Sequence, residues 1–122
     1  MKYRAESTHG FSHQQHHAIR LRKERTELQK AIDAAERQIR QLLDETIGDS
    51  LSVTAEEAVL LHRLTIYRER LKKVQQSLLR IRDGHFGLCL TCDGPIGEQR
   101  LTAMPSALYC IRCQHRYEQE QN

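Results

Sequence analysis

The sequence predicts a mainly α protein: an antiparallel coiled-coil hairpin followed by a small four-cysteine zinc-finger domain with a C-terminal helix. Three observations lead there. Apolar residues recur in alternating steps of four and three along two stretches, a polar turn containing glycine separates them, and every cysteine falls in one late C-x2-C-x17-C-x2-C frame.

Composition agrees with that class. At 122 residues the chain has room for one domain, or for one small domain with an elongated extension. Hydrophobic residues make up 39%, charged residues 29% and aromatics 5%, with no Trp, which suits long charged helices better than a globule with a large core. Apolar runs are short, Ala58–Leu61 and Ala107–Ile111 among the longest, and none is long enough to span a membrane. Met1–Gly10 is polar and lacks the apolar centre of a signal peptide, so a soluble, cytoplasmic protein is expected.

Charge is distributed unevenly. Residues 1–40 carry nine Lys/Arg against five Asp/Glu (+4), residues 63–122 carry ten against six (+4), and residues 41–62 hold five acids with no Lys or Arg (−5). The basic flanks read as solvated helix faces interleaved with acids rather than as a nucleic-acid footprint.

Residues 1–12 read as a polar N-terminal tail. Ser12 with Gln15 fits a capping box that would start a helix near His13. His13 and His17 lie one helical turn apart within the cluster His9, His13, His16 and His17, but no Cys or carboxylate stands at matched spacing, so the cluster reads as a polar helix start. The first seam is Leu21, Arg25, Leu28, Ile32, Ala35, Ile39, Leu42 and Thr46, with Arg25 its one charged member. Ile47–Ser50 then reads as a turn. Thr54 with Glu57 forms a second capping box, and Leu60, Leu64, Tyr67, Leu71, Val74, Leu78 and Ile81 form the second seam, which Gly84 would cap.

Two seams joined by a short turn should fold back on each other over residues 13–83, with a tip near 47–53. Pairing with a second copy is the competing arrangement, but tethering raises the effective concentration of the partner arm, so a monomeric hairpin is expected. Each arm of about 30 residues would reach roughly 45 Å. The acidic stretch falls at the tip, where Asp44, Glu45 and Asp49 are the candidate partner-facing residues, turn formation and solubility being the plainer account of them.

Residues 84–122 hold too few large apolar groups to fold unaided, so a bound metal should supply much of the folding free energy. Cys89, Cys92, Cys110 and Cys113 are the expected ligands of one structural Zn2+, two thiolates coming from each of two short turns. A disulfide framework would need an oxidising compartment, and a redox C-x-x-C would normally accompany a βαβ pattern that is not visible here. Four sulfurs fill a tetrahedral shell and leave no open position for an activated water. A helix over about Leu108–Gln119 would carry the second ligand pair, with Arg100, Arg112 and His115 either offsetting thiolate charge or simply exposed.

The segment Phe86–Cys113 resembles the zinc finger of the DksA/TraR family of bacterial RNA polymerase-binding regulators. Beyond the cysteines, Ile96, Arg100 and Pro105 occupy that family's C-x2-C-x3-I-x3-R-x4-P-x4-C-x2-C positions, while Leu90 departs from the usual acid or Ser. The likeness covers roughly residues 13–118, since longer members place an antiparallel coiled coil before the finger. It implies a regulator that binds RNA polymerase, inserts the coiled-coil tip into the secondary channel and modulates initiation without sequence-specific DNA binding, with the nucleotide ppGpp acting at an interface shared with the polymerase. The best-known members carry Asp-x-x-Asp-x-Ala at the tip. Here Asp49 matches one acid, but Ser52 stands three residues on and Thr46 three residues back.

Alternative readings are a zinc-stabilised nucleic-acid-binding module and a coiled-coil adaptor. The first lacks a dense basic stripe or stacking aromatics, and its acidic tip would repel phosphates. An enzyme is not expected, because the sequence holds no nucleophile elbow, no phosphate-cradling glycine loop and no metal set with an open site.

Overall fold

The structure, a computed structural model, describes the backbone of residues 2–45 and 54–121 and the side chains of residues 13–45 and 54–121. Its regular elements are α1 (Lys2–Glu45), α2 (Ala55–Asp83), α3 (Glu98–Ala103) and α4 (Ile111–Gln121), with an antiparallel bridge between Leu88 and Pro95. The architecture is mainly helical: a coiled-coil hairpin of α1 and α2 followed by a small four-cysteine domain ending in a helix. The turn expected near 47–53, with Asp49, lies outside the described residues.

Helix α1 begins at Lys2 rather than near His13, so the expected polar tail is helical and Ser12 stands inside the helix instead of capping it. Lys2–Ser12 contains no proline, and its single glycine, Gly10, costs about 1 kcal/mol relative to alanine. Propagating an existing helix costs far less than nucleating one, so the polar residues extend it.

The chain divides into two compact units, residues 25–72 and residues 1–24 with 73–122. The division falls inside the two long helices rather than at residue 84, because the outer ends of α1 and α2 pack with the finger.

In the unit of residues 25–72, Ile32, Ala35 and Leu64 form a buried cluster flanked by Ile39, Tyr67 and Leu71, all taken from the two seams. Leu28 and Leu60 are buried as well. Arg25, the charged seam member, is exposed, as expected of a guanidinium that keeps its hydration. The second capping box forms: the Glu57 N–H donates to Thr54 Oγ1 at 3.1 Å, satisfying one of the orphan donors of α2. Across the helices Arg68 meets Glu36 at 3.4 Å, an exposed pair that contributes little.

In the other unit, Leu21 and Val74 are fully buried. The seam extends beyond its predicted start through His17 and Ala18, four and three residues before Leu21, and broadens on α2 to take in Ser77. Helix α2 ends in a Schellman arrangement, with the Gly84 N–H on the Ile81 carbonyl at 3.3 Å and the His85 N–H on the Arg80 carbonyl at 2.8 Å. Gly84 has φ 79°, a left-handed conformation that glycine adopts without penalty.

Leu21→Ala is expected to destabilise the protein by about 2–5 kcal/mol, the range for truncating a fully buried leucine. Arg25→Ala should stay within about 0.5 kcal/mol, as for other exposed positions. Urea denaturation of the zinc-loaded protein followed by circular dichroism checks both.

Candidate metal centre

Main-chain hydrogen bonds shape the first cysteine pair. The Cys89 N–H donates to the Gly94 carbonyl at 2.8 Å and the Asp93 N–H returns to the Cys89 carbonyl at 3.0 Å. This tight loop requires φ 60° at Asp93, and Asp is among the few non-glycine residues that adopt that region readily. Outside it, the Ile96 N–H bonds the Gly87 carbonyl at 2.8 Å, and Leu88 pairs with Pro95.

The second pair straddles the start of α4. Cys110 immediately precedes the helix, and the Gln114 N–H bonds its carbonyl at 2.9 Å, so Cys113 lies nearly one turn on and on the same side. The Leu90 N–H donates to the Leu108 carbonyl at 2.9 Å and joins the two halves. Leu90, where the residue type departs from the family pattern, therefore contributes through its backbone. Beneath the thiols lies a small core of Cys89, Ile96, Leu101 and Ala107, against which Phe86 and Tyr109 pack.

The four Sγ atoms lie within 4.8 Å of one another. Cys92 Sγ and Cys110 Sγ are 3.9 Å apart, close to the roughly 3.8 Å edge of a tetrahedron with Zn–S bonds of about 2.3 Å. That separation is almost twice a disulfide bond of about 2.05 Å, and none of the four cysteines is paired in a disulfide. The donor set fits one structural Zn2+, held by four sulfurs with no position left for a reacting molecule.

The thiols share their protons unevenly. Burial works against ionisation of Cys89, but main-chain hydrogen bonds from Cys110, Cys92 and Thr91 outweigh it and lower its pKa to about 6. A main-chain hydrogen bond from Cys113 lowers that of Cys110, against the opposing effect of burial. Cys113 is pushed up to about 12, chiefly by its hydrogen bond with Cys110, then by burial and by the thiols of Cys89 and Cys92.

Helix α3 connects this centre to α1. Arg100 Nε donates to the Tyr109 carbonyl at 3.0 Å, next to Cys110. Arg112 and His115 are exposed. On the other side of α3, His17 Nε2 meets Glu98 Oε1 at 2.7 Å and Arg20 donates to the Thr102 carbonyl at 2.6 Å. His17 is 2% exposed and packs on Phe86 with ring centroids 5.8 Å apart. Sequence reasoning missed this contact because His17 and Glu98 are 81 positions apart; the only local signal was that His17 lies one turn before Leu21 on the seam face. Of the acidic candidates, Asp44 and Glu45 are exposed in the last turn of α1, and Asp49 lies outside the described residues.

Residues 84–119 match the family model described as the prokaryotic dksA/traR C4-type zinc finger. The chain is 32% identical over 75 residues to the RNA polymerase-binding transcription factor DksA of Caulobacter vibrioides, covering 62% of this chain and 53% of that protein. It is 41% identical over 46 residues to the protein of the same name from Escherichia coli K12, covering 38% of this chain and 30% of that one. These alignments span about half, or less, of the curated relatives. Among solved structures, transcription factor DksA2 from Pseudomonas aeruginosa is similar with a TM-score of 0.69 and 26% identity, over 90% of this chain and 86% of that one.

Zinc uptake at neutral pH should release protons, because the thiols must reach the metal as thiolates. Isothermal titration in two buffers of different ionisation enthalpy should therefore give different apparent heats, and identical heats would contradict it. Arg100→Met, which removes the donor to Tyr109, should cost about 1–3 kcal/mol of stability, measured by denaturation of the zinc-loaded protein.

Proposed function

We infer, from the membership of residues 84–119 in the DksA/TraR C4 zinc-finger family, that this chain is a non-enzymatic transcription regulator that binds RNA polymerase. The observation that carries the reading is the fold likeness to a DksA2 protein over nine-tenths of the chain, which takes in residues of both the hairpin and the finger. The names of the sequence relatives supply the partner. A cytoplasmic location follows from that partner.

In this reading the finger's zinc, with Cys89, Cys92, Cys110 and Cys113 as ligands, is structural, and the working end is the acidic tip. The hairpin enters the polymerase secondary channel and presents Asp44, Glu45 and Asp49 to the catalytic centre. There, carboxylates can interact with Mg2+ or with basic groups lining the channel. Initiation changes without sequence-specific DNA binding, the regulator acts as a monomer, and ppGpp acts at an interface shared with the polymerase. Support comes from the net charge of −5 over residues 41–62 and from the exposure of Asp44 and Glu45. A four-sulfur metal shell, closed to substrate, accords with a role outside catalysis.

The purified protein is expected to comigrate with bacterial RNA polymerase core in gel filtration at micromolar concentration, and absence of association overturns the proposal. In transcription assays on several promoters, Asp49→Asn should weaken the effect on initiation while leaving polymerase binding intact. Equal action of variant and wild type would show that Asp49 is not the effector.

A further inference from the structure

We propose that His13, His17 and Glu98 form a second site for a divalent transition-metal ion, Zn2+ in particular, sharing no residue with the cysteine centre. The sequence sets the two histidines one helical turn apart, and the fold supplies the carboxylate they lack locally. Helix α3 brings Glu98 so that one oxygen, Oε1, lies 2.7 Å from His17 Nε2 and 3.6 Å from His13 Nδ1.

These distances bear on what the cluster can hold. Metal–nitrogen and metal–oxygen bonds of about 2.0–2.2 Å in a tetrahedral site place neighbouring donor atoms about 3.3–3.5 Å apart. The two separations from Oε1 fall on either side of that value, and the two histidine nitrogens must converge as well, so binding requires His13 and Glu98 to shift around a fixed His17. The side chains that must move are the exposed ones, His13 at 57% and Glu98 at 48%. The third, His17, is held by burial and by Phe86, with Nε2 directed at the carboxylate. Two imidazoles and one carboxylate suit zinc, and water would complete the shell. Such an ion would crosslink α1 to α3 and add to the fastening already made by Arg20 and Thr102. This inference does not depend on the role assigned to the tip or on the polymerase.

The test uses the full chain with its cysteine centre loaded with one zinc, titrated with further Zn2+ and followed by calorimetry. Wild type should take up a second equivalent with micromolar affinity. His13→Ala and Glu98→Gln should each weaken it by at least about tenfold, since loss even of a partner that only supports a ligand typically costs that much. Glu98→Gln keeps an amide able to hydrogen-bond His17, and thermal unfolding of each variant verifies the fold. His16→Ala, one position from His17 and exposed, should bind like wild type. The proposal is overturned if wild type takes up no second equivalent, if Glu98→Gln binds unchanged, or if His16→Ala weakens binding as much as His13→Ala, which would mark nonspecific capture by surface histidines.

Discussion

Four sulfurs within 4.8 Å of one another impose a condition on the C-terminal segment that the rest of it must meet. As thiolates they repel, and the segment opposes that repulsion with a small buried core, the cluster of Cys89, Ile96, Leu101 and Ala107 together with Leu108. A divalent cation turns the repulsion into attraction and does the work that a larger apolar core would do in a bigger domain. The remainder of the finger keeps the donors where the cation needs them. Helix α4 buries no residue of its own and relies on Cys113, on the bond from Gln114 to Cys110 and on the stacked rings of Tyr109 and Tyr117, 6.1 Å apart.

Helix α3 illustrates how tertiary contacts create a local element. Six residues are too few to sustain a helix in water, because nucleation is not repaid over so short a run. Leu101 anchors it in the core, Arg100 ties it to the second cysteine pair, and Glu98 and Thr102 are gripped by His17 and Arg20 of α1. A geometric change at the cysteine centre therefore has a short covalent and hydrogen-bonded route to the outer end of α1, through Tyr109, Arg100 and the turns of α3.

Much of this architecture was legible in the sequence because its signals are local or periodic. The cysteine frame, the alternation of the two seams, the box of Thr54 with Glu57 and the cap at Gly84 all act over a few residues, and each appears in the structure. The start of α1 is not legible in the sequence because Ser12 and Gln15 suit a helix interior as well as a cap. The burial of His17 and Ser77 was invisible, since neither residue type marks a seam. The bond from Arg100 to the Tyr109 carbonyl is likewise invisible in the sequence, since it depends on tertiary placement.

The junction of α2 and the finger has a further property. Arg80 lies in the last turn of the helix, its carbonyl accepts from His85, and its guanidinium donates to the Leu88 carbonyl at 3.0 Å. One residue thus measures the chain on both sides of Gly84. Adding a residue inside the helix would swing Arg80 by about 100° relative to what precedes it, and adding one after Gly84 would displace Leu88 by about 3 Å. Replacing a side chain in this stretch loses one contact, whereas changing its length loses the register of every contact that follows. The length of this junction is therefore held by more contacts than any one of its side chains.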